Sequence, residues 1–206
     1  MSEFQLLDKD NSALIFIDHQ PQMAFGVTNI DRRLLKNNAV GLAKAGKIFN
    51  VPTVFSAVET ERFSGDIWPE LLAVRPDIVP LKRASMNAWE DAAFIKAIAA
   101  TGRKKLVISA LWAETGLTFP ALMALEAGYE VYLVTDASGG TPDDVHERAI
   151  APLIQAGAAP VTWQQVLLEY QRNWASKETY DAVMALIREH RNTDALVPPA
   201  PARTAK

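Results

Sequence analysis

Short apolar runs alternate with helical segments along most of this sequence, and this pattern constrains the fold more than any other feature. Runs typical of buried strands cover residues 13–17, 51–55, 78–79, 104–111, 129–135 and 160–162. Helical patterns cover residues 34–49, 91–101, 122–126, 143–156, 163–170 and 177–190. Such alternation is typical of βαβ units, whose parallel strands are covered by helices on both faces. We therefore predict an α/β fold with a mainly parallel sheet.

Composition narrows the classes of protein to which the chain can belong. The net charge is −3 over 206 residues and no basic run occurs, so nothing favours binding of nucleic acid or an anionic membrane. No stretch reaches the roughly 18 apolar residues of a membrane helix, and the first five residues do not resemble a signal peptide. We expect a single cytoplasmic domain over residues 1–190 and a flexible Pro/Ala-rich tail over residues 191–206.

Three positions follow strand-like runs and are expected to meet at one edge of the sheet. Asp18 closes the first run, Lys82 follows the short run at 78–79, and Gly116 follows the run ending near Leu111. Ligands of open α/β sheets bind beyond the carboxyl ends of the strands. Asp18 could act as a general acid or base, or could simply cap a turn. Lys82 could stabilise the Asp18 site or be a surface lysine, and Gly116 could be an ordinary turn glycine.

The segment 112–120 joins a predicted strand to a predicted helix. Backbone amides at such a helix start favour an anion or a developing oxyanion. Thr115 and Thr118 supply hydroxyl groups, but no histidine lies near them in the sequence to activate them, which argues against a threonine nucleophile. Trp89 and Trp112 flank the predicted crevice and could line an apolar pocket.

No cofactor or metal is predicted. The first strand is followed by Asp18, His19 and Gln20 instead of a glycine-rich dinucleotide fingerprint, and the Gly139–Gly140 pair is only a weak phosphate-loop signal. The three histidines are scattered, and the chain contains no cysteine, which excludes disulfides and thiolate metal sites.

Several of these segments together resemble the isochorismatase-like hydrolases of the cysteine hydrolase superfamily. The segments are 14–20 (LIFIDHQ), Lys82 with 87–89 (NAW), 112–120 (WAETGLTFP) and 134–140 (VTDASGG). Two later segments, 155–158 (QAGA) and 161–165 (VTWQQ), are similar to the YcaC-like subgroup. The resemblance covers about residues 8–190.

The resemblance implies a Rossmann-like three-layer α/β/α sandwich with six strands, and homo-oligomers that are ring-shaped octamers in the YcaC-like subgroup. It implies a catalytic triad of Asp18, Lys82 and a cysteine at the position of Gly116. The backbone amides of Trp112 and Gly116 would form an oxyanion hole, shaped by a cis peptide bond between Leu111 and Trp112. The pocket for a small-molecule substrate would be lined by Gln20, Phe25, Asn87, Trp89, Glu114 and Thr115.

The chain departs from this pattern at the nucleophile, because Gly116 supplies no thiol. Isochorismatases proper are similar to this chain at the position of Gly116, where they also carry glycine. The resemblance to them implies a mechanism without a thiol, in which the aspartate protonates an enol ether. One hypothesis is therefore a hydrolase that uses Asp18, Lys82 and activated water. The alternative is a catalytically silent member that binds a ligand or serves as an oligomeric scaffold. A third reading is that the glycine replaced a cysteine by engineering.

Overall fold

The computed structural model describes residues 6–190 and contains one six-stranded sheet, in which every neighbouring pair of strands is parallel. The strands are β1 (Ser12–Ile17), β2 (Thr53–Val58), β3 (Leu81–Arg83), β4 (Lys105–Ala110), β5 (Glu130–Val134) and β6 (Ala159–Val161). They are arranged in the order β3-β2-β1-β4-β5-β6. The α/β fold class predicted from the sequence is confirmed.

Helices cover both faces of this sheet. They are α1 (Pro21–Phe25), α2 (Arg32–Ile48), α3 (Pro69–Val74), α4 (Ala92–Ala100), α5 (Thr118–Glu126), α6 (Asp143–Gln155), α7 (Trp163–Gln171) and α8 (Lys177–His190). One hydrophobic core lies between the sheet and α2, α3, α7 and α8, and a second lies between the sheet and α4, α5 and α6. None of the helices within residues 6–190 is both long and apolar enough to cross a bilayer.

Strand β1 is buried along its whole length because it lies at the centre of the sheet. Its side chains alternate between the two cores: Leu14 and Phe16 pack in one, and Ile15 and Ile17 in the other. The chain leaves β1 toward β2 on one side and later returns to β4 on the other. The strand order thus reverses between β1 and β4, which is where ligands of open α/β sheets bind.

Most element positions agree with the sequence prediction, and the exceptions are the third strand and two short helices. The apolar run at 78–79 is not a strand: Val79 is 85% exposed, and the strand is Leu81–Arg83. The short helices α1 and α3 have no counterpart in the prediction. The predicted tail over 191–206 lies outside the described residues.

Candidate functional site

A buried ion pair between Asp18 and Arg83 lies at the carboxyl edge of the sheet. Asp18 directly follows β1, and Arg83 ends β3. Arg83 Nη2 donates to both carboxylate oxygens of Asp18, at 2.7 and 2.6 Å, and the side chains are 0% and 3% exposed. The rest of the guanidinium donates to Ser56 Oγ on β2 and to the Ser85 carbonyl. Three adjacent strands therefore contribute to one polar cluster.

The cation beside Asp18 is Arg83 and not the predicted Lys82, which is a correction to the sequence analysis. Successive side chains of a strand point to opposite faces, so these two neighbours cannot both reach Asp18. The Lys82 side chain is 60% exposed, and its Nζ lies 3.3 Å from the Asp66 carboxylate.

Burial changes the acidity of Asp18. Removal of the carboxylate from water raises its pKa, and this effect exceeds the lowering by the charge and hydrogen bonds of Arg83. The resulting pKa of Asp18 is about 6. Asp18 is consequently ionised in most molecules at neutral pH, while about a tenth carry the proton. Such a group can accept a proton at pH 7 and donate one in weakly acidic solution.

His19 anchors the backbone that follows Asp18. Its Nε2 lies 2.9 Å from Ser109 Oγ and 3.2 Å from the Ala137 carbonyl, and its ring is fully buried. Burial lowers the pKa of His19 to about 4, so the imidazole is neutral at pH 7. Ser109 is also fully buried and donates to the Ala137 carbonyl at 2.6 Å, so this serine and histidine pair is structural.

Gln20, predicted to line the substrate pocket, instead links strands. Its Oε1 accepts from the Val58 amide at 3.0 Å, and its Nε2 donates to the carbonyls of Val58 and Gly65 at 2.9 and 2.5 Å. The side chain is fully buried. It therefore holds the carboxyl end of β2 against the segment that follows β1.

The turn after β4 brings Gly116 to the switch point, but with a backbone different from the one predicted. Leu111 N–H donates to the Ile17 carbonyl, which joins the start of the turn to the residue before Asp18. No cis peptide bond occurs within residues 6–190, so the predicted cis bond between Leu111 and Trp112 is corrected to trans. Trp112 instead adopts a left-handed conformation, with φ of 56°.

Residues Ala113–Leu117 form a single π-helical turn that uses the Gly116 amide internally. The Gly116 N–H donates to the Trp112 carbonyl at 2.7 Å. It is thus not directed at a ligand, as the predicted oxyanion hole of the Trp112 and Gly116 amides would require. A Cβ at Gly116 would overlap the Leu111 carbonyl oxygen, so only glycine fits this turn as it stands.

The other five predicted pocket residues lie in three different places. Glu114 and Thr115 lie in the turn beside Gly116, where Glu114 Oε1 accepts from Thr141 Oγ1 at 2.8 Å. Phe25 is 67% exposed on the surface beneath the Arg32 guanidinium. Asn87 and Trp89 make contacts within the fold, and their place in a substrate pocket stays a prediction. Asn87 Oδ1 accepts from the Trp89 amide, and the Trp89 indole packs edge-on against Phe94 and Tyr129.

Four polar residues at this edge of the sheet were not predicted from the sequence: Arg83, Ser56, His19 and Ser109. Arg83 could have been found from strand alternation had the strand been placed at 81–83. The contacts of Ser56 and Ser109 depend on strand order, which no local pattern reveals. Within residues 6–190 no group of three or more His, Cys, Asp or Glu side chains is placed to hold a metal ion.

Comparison with known proteins agrees with this geometry. The model of the isochorismatase domain family matches residues 12–165. The probable hydrolase YcaC of Escherichia coli K12 is 38% identical over 169 residues, which are 82% of this chain and 81% of that protein.

Two solved structures are also similar. YcaC from Pseudomonas aeruginosa, with hexane-2,5-diol and covalent acrylamide, has 33% identity and a TM-score of 0.89, covering 93% of this chain and 94% of that one. The E. coli YcaC crystal structure, described as an octameric hydrolase of unknown specificity, has 35% identity and a TM-score of 0.87, covering 93% of each chain. By its sequence and its fold, the chain belongs to the isochorismatase family, with YcaC among its relatives.

Proposed function

We propose that this chain is a small-molecule hydrolase in which Asp18 acts with activated water and without a covalent intermediate on a thiol. The observation that carries the proposal is the buried Asp18–Arg83 pair at the strand-order switch of an isochorismatase fold. A buried carboxyl group with a pKa near neutrality is typical of acid–base catalysts.

In this mechanism Asp18 moves protons and Arg83 positions it. The ionised carboxylate takes a proton from water as the water attacks an electrophilic carbon, and then returns the proton to the leaving group. In the protonated form, Asp18 can instead give its proton to the carbon of an enol ether. Water then adds to the resulting cation and returns a proton to the Asp18 carboxylate, and the hemiketal so formed breaks down to a carbonyl compound and an alcohol. In either case the carboxylate is oriented by Arg83 Nη2, which donates to both of its oxygens.

In this chain neither Ser109 nor Thr115 is placed to replace a thiol nucleophile. The chain contains no cysteine, and the Ser109 hydroxyl is fully buried and donates to a backbone carbonyl. Thr115 Oγ1 lies 3.3 Å from the Trp112 carbonyl, to which it donates. Water is therefore the nucleophile that we propose.

We further infer a homo-oligomer, because E. coli YcaC is described as an octamer and shares the fold at 35% identity. We also propose a cytoplasmic location, as expected from the sequence. The chain would bind no nucleic acid and no membrane, in keeping with its small negative net charge.

Hydrolysis assays on isochorismate, other enol ethers, nicotinamide, simple amides and nitriles test the catalytic proposal. We expect Asp18→Asn to lower turnover by about 100-fold or more, the usual contribution of a positioned acid or base. Asp144→Asn, the same change at an exposed carboxylate of α6, is the control and should retain the wild-type rate. Circular dichroism and melting temperature check that each variant is folded.

The pH dependence of the wild-type rate keeps the test valid even if Asp18→Asn is unstable. The rate should rise with pH through about 6 if Asp18 is a base, and fall through the same range if it is an acid. A rate without an inflection there, or full activity of a folded Asp18→Asn variant, would rule out the mechanism.

A ligand-binding or scaffold role without catalysis is the second candidate. It is favoured by the near-complete burial of Asp18, whose two oxygens are both held by Arg83. Absence of turnover on the whole panel, together with saturable binding of one of its compounds by calorimetry, would support this role.

A further inference from the structure

Helix α5 has the reverse of the usual arrangement of a surface helix. Its inward face carries the small residues Pro120, Ala121 and Ala124, which are buried against the sheet. Its large apolar side chains point outward: Phe119, Leu122 and Met123 are 40%, 42% and 39% exposed. Because positions i, i+3 and i+4 lie on one side of a helix, these three form a single surface, which we call the α5 stripe.

Helix α5 is itself poor in charge, and so is α4. Glu126 is the only charged residue of α5, and Lys96 is the only charged residue of α4, which packs on the same face of the sheet and exposes Ile95. Helix α8, by contrast, carries five charged side chains besides His190, and all five are exposed. A helix that is apolar on all sides is normally buried, so α5 has the composition of a helix covered by another chain.

We propose that the α5 stripe is a two-fold interface between two copies of this chain. This inference rests on the homo-oligomer proposed above and assigns the surface that forms it. A second copy is the occupant because E. coli YcaC, which shares the fold at 35% identity, is described as an octamer, and because an apolar stripe can pack against its own equivalent across a two-fold axis. An isologous contact of this kind also brings equivalent residues near the axis close to each other.

The α5 stripe adjoins the candidate site. Phe119 lies three residues after Gly116, in the first turn of the helix that continues the π-helical turn. A second copy seated on α5 would therefore border the loop that carries Glu114, Thr115 and Gly116, and would shield one side of it from water.

The first test is the mass of Leu122→Glu in solution, measured by sedimentation velocity. Leucine and glutamate have similar helix propensities and Leu122 is exposed in the monomer, so the variant should fold. We expect it to form a smaller assembly than the wild type. Leu168→Glu on α7, where the leucine is 37% exposed on the opposite face of the sheet, is the matched control and should keep the wild-type mass.

The outcomes separate this inference from the proposed oligomer. A monomeric wild type would refute the oligomer itself. A wild-type oligomer whose mass is unchanged by Leu122→Glu, or that Leu168→Glu dissociates equally, would refute the α5 stripe alone.

A second test uses the absence of cysteine from the chain. Met123→Cys introduces one thiol into the α5 stripe, and mild oxidation should convert the assembled protein largely to a disulfide-linked dimer on a denaturing gel. Val79→Cys places a more exposed thiol far from α5 in the sequence and should give only traces of dimer. Equal yields from the two variants would contradict the two-fold arrangement.

Discussion

Arg83 holds both oxygens of Asp18 inside the sheet edge, whereas its chain neighbour Lys82 reaches into solvent toward Asp66. Loss of one partner of a buried ion pair leaves the other charge buried without compensation, at a cost of about 3–5 kcal/mol. We therefore expect Arg83→Met to lower the free energy of unfolding by that amount. Lys82→Met should change it by less than about 0.5 kcal/mol, since exposed ion pairs contribute little. Urea denaturation at pH 7 measures both, and equal effects would contradict the assignment of Arg83.

Position 116 requires glycine because the backbone of the turn passes close to the backbone of Leu111. A Cβ there would overlap the Leu111 carbonyl oxygen, which cannot move without shifting the turn. We expect Gly116→Ala to destabilise the protein by about 1–3 kcal/mol, the usual range for overpacking. At Gly102, by contrast, a Cβ meets open space and only its φ of +67° disfavours a side chain, so Gly102→Ala should cost about 1 kcal/mol.

Thermal and chemical denaturation would compare the two glycine variants, and a Gly116→Ala variant as stable as the wild type would show that the turn adapts freely. The same overlap applies to Gly116→Cys. Introducing a thiol there would also require the turn to change, so the substitution by itself does not recreate a positioned nucleophile.

Between strands, Gln20 provides the cross-link that keeps the two halves of the ion pair opposite each other. Its amide group pairs with both backbone groups of Val58, at the end of the strand next to β3. Gln20→Met should leave the half-buried Val58 N–H without its acceptor, at a cost of about 1 kcal/mol. We expect faster hydrogen exchange at the Val58 amide and unchanged exchange at Ile108, in the middle of β4. Unchanged protection of Val58 would show that Gln20 is dispensable to the sheet edge.

Secondary-structure elements were predicted well where the hydrophobic pattern extended over several turns or where a capping residue marked the start of a helix. Helix α8 has the predicted bounds, and α4 begins after Asp91, whose carboxylate accepts from the Phe94 amide. The third strand failed because it has only three residues, and the apolar pair at 78–79 gave a stronger local signal than Leu81. An error of two or three residues there was enough to select Lys82 over Arg83, because adjacent strand residues face opposite sides.

The geometry of the candidate site was predictable only in part. The position of Asp18 follows from the end of an apolar run and from the rule that parallel strands end at one edge. The conformation of residues 111–117 does not, since the trans bond, the left-handed Trp112 and the internally bonded Gly116 amide depend on packing against β1. The use of Gln20 and Trp89 within the fold likewise depends on long-range contacts.

At the scale of the whole molecule, two adjacent buried groups should make opposite contributions to the pH dependence of stability. Burial raises the pKa of Asp18 to about 6, so its stabilising contribution is complete below about pH 4 and is lost as the pH rises through 6. Burial lowers the pKa of His19 to about 4, so stability is lost as the pH falls from about 6.5 toward 4. Each effect changes the free energy of unfolding by about 3 kcal/mol, because a shift of one pKa unit corresponds to about 1.4 kcal/mol.

The two contributions should therefore largely cancel in the wild type between pH 4 and 6, and single substitutions should reveal them. In Asp18→Asn only the His19 effect remains, so the free energy of unfolding should rise with pH across this range relative to the wild type. In His19→Gln only the Asp18 effect remains, so the same difference should fall with pH. Urea titrations of the three proteins from pH 4 to 7 measure these differences. The contribution of surface carboxylates is the same in all three proteins and cancels when the wild-type value is subtracted. Parallel curves for all three would mean that neither group changes its pKa on folding, and the acid–base role proposed for Asp18 would lose its physical basis.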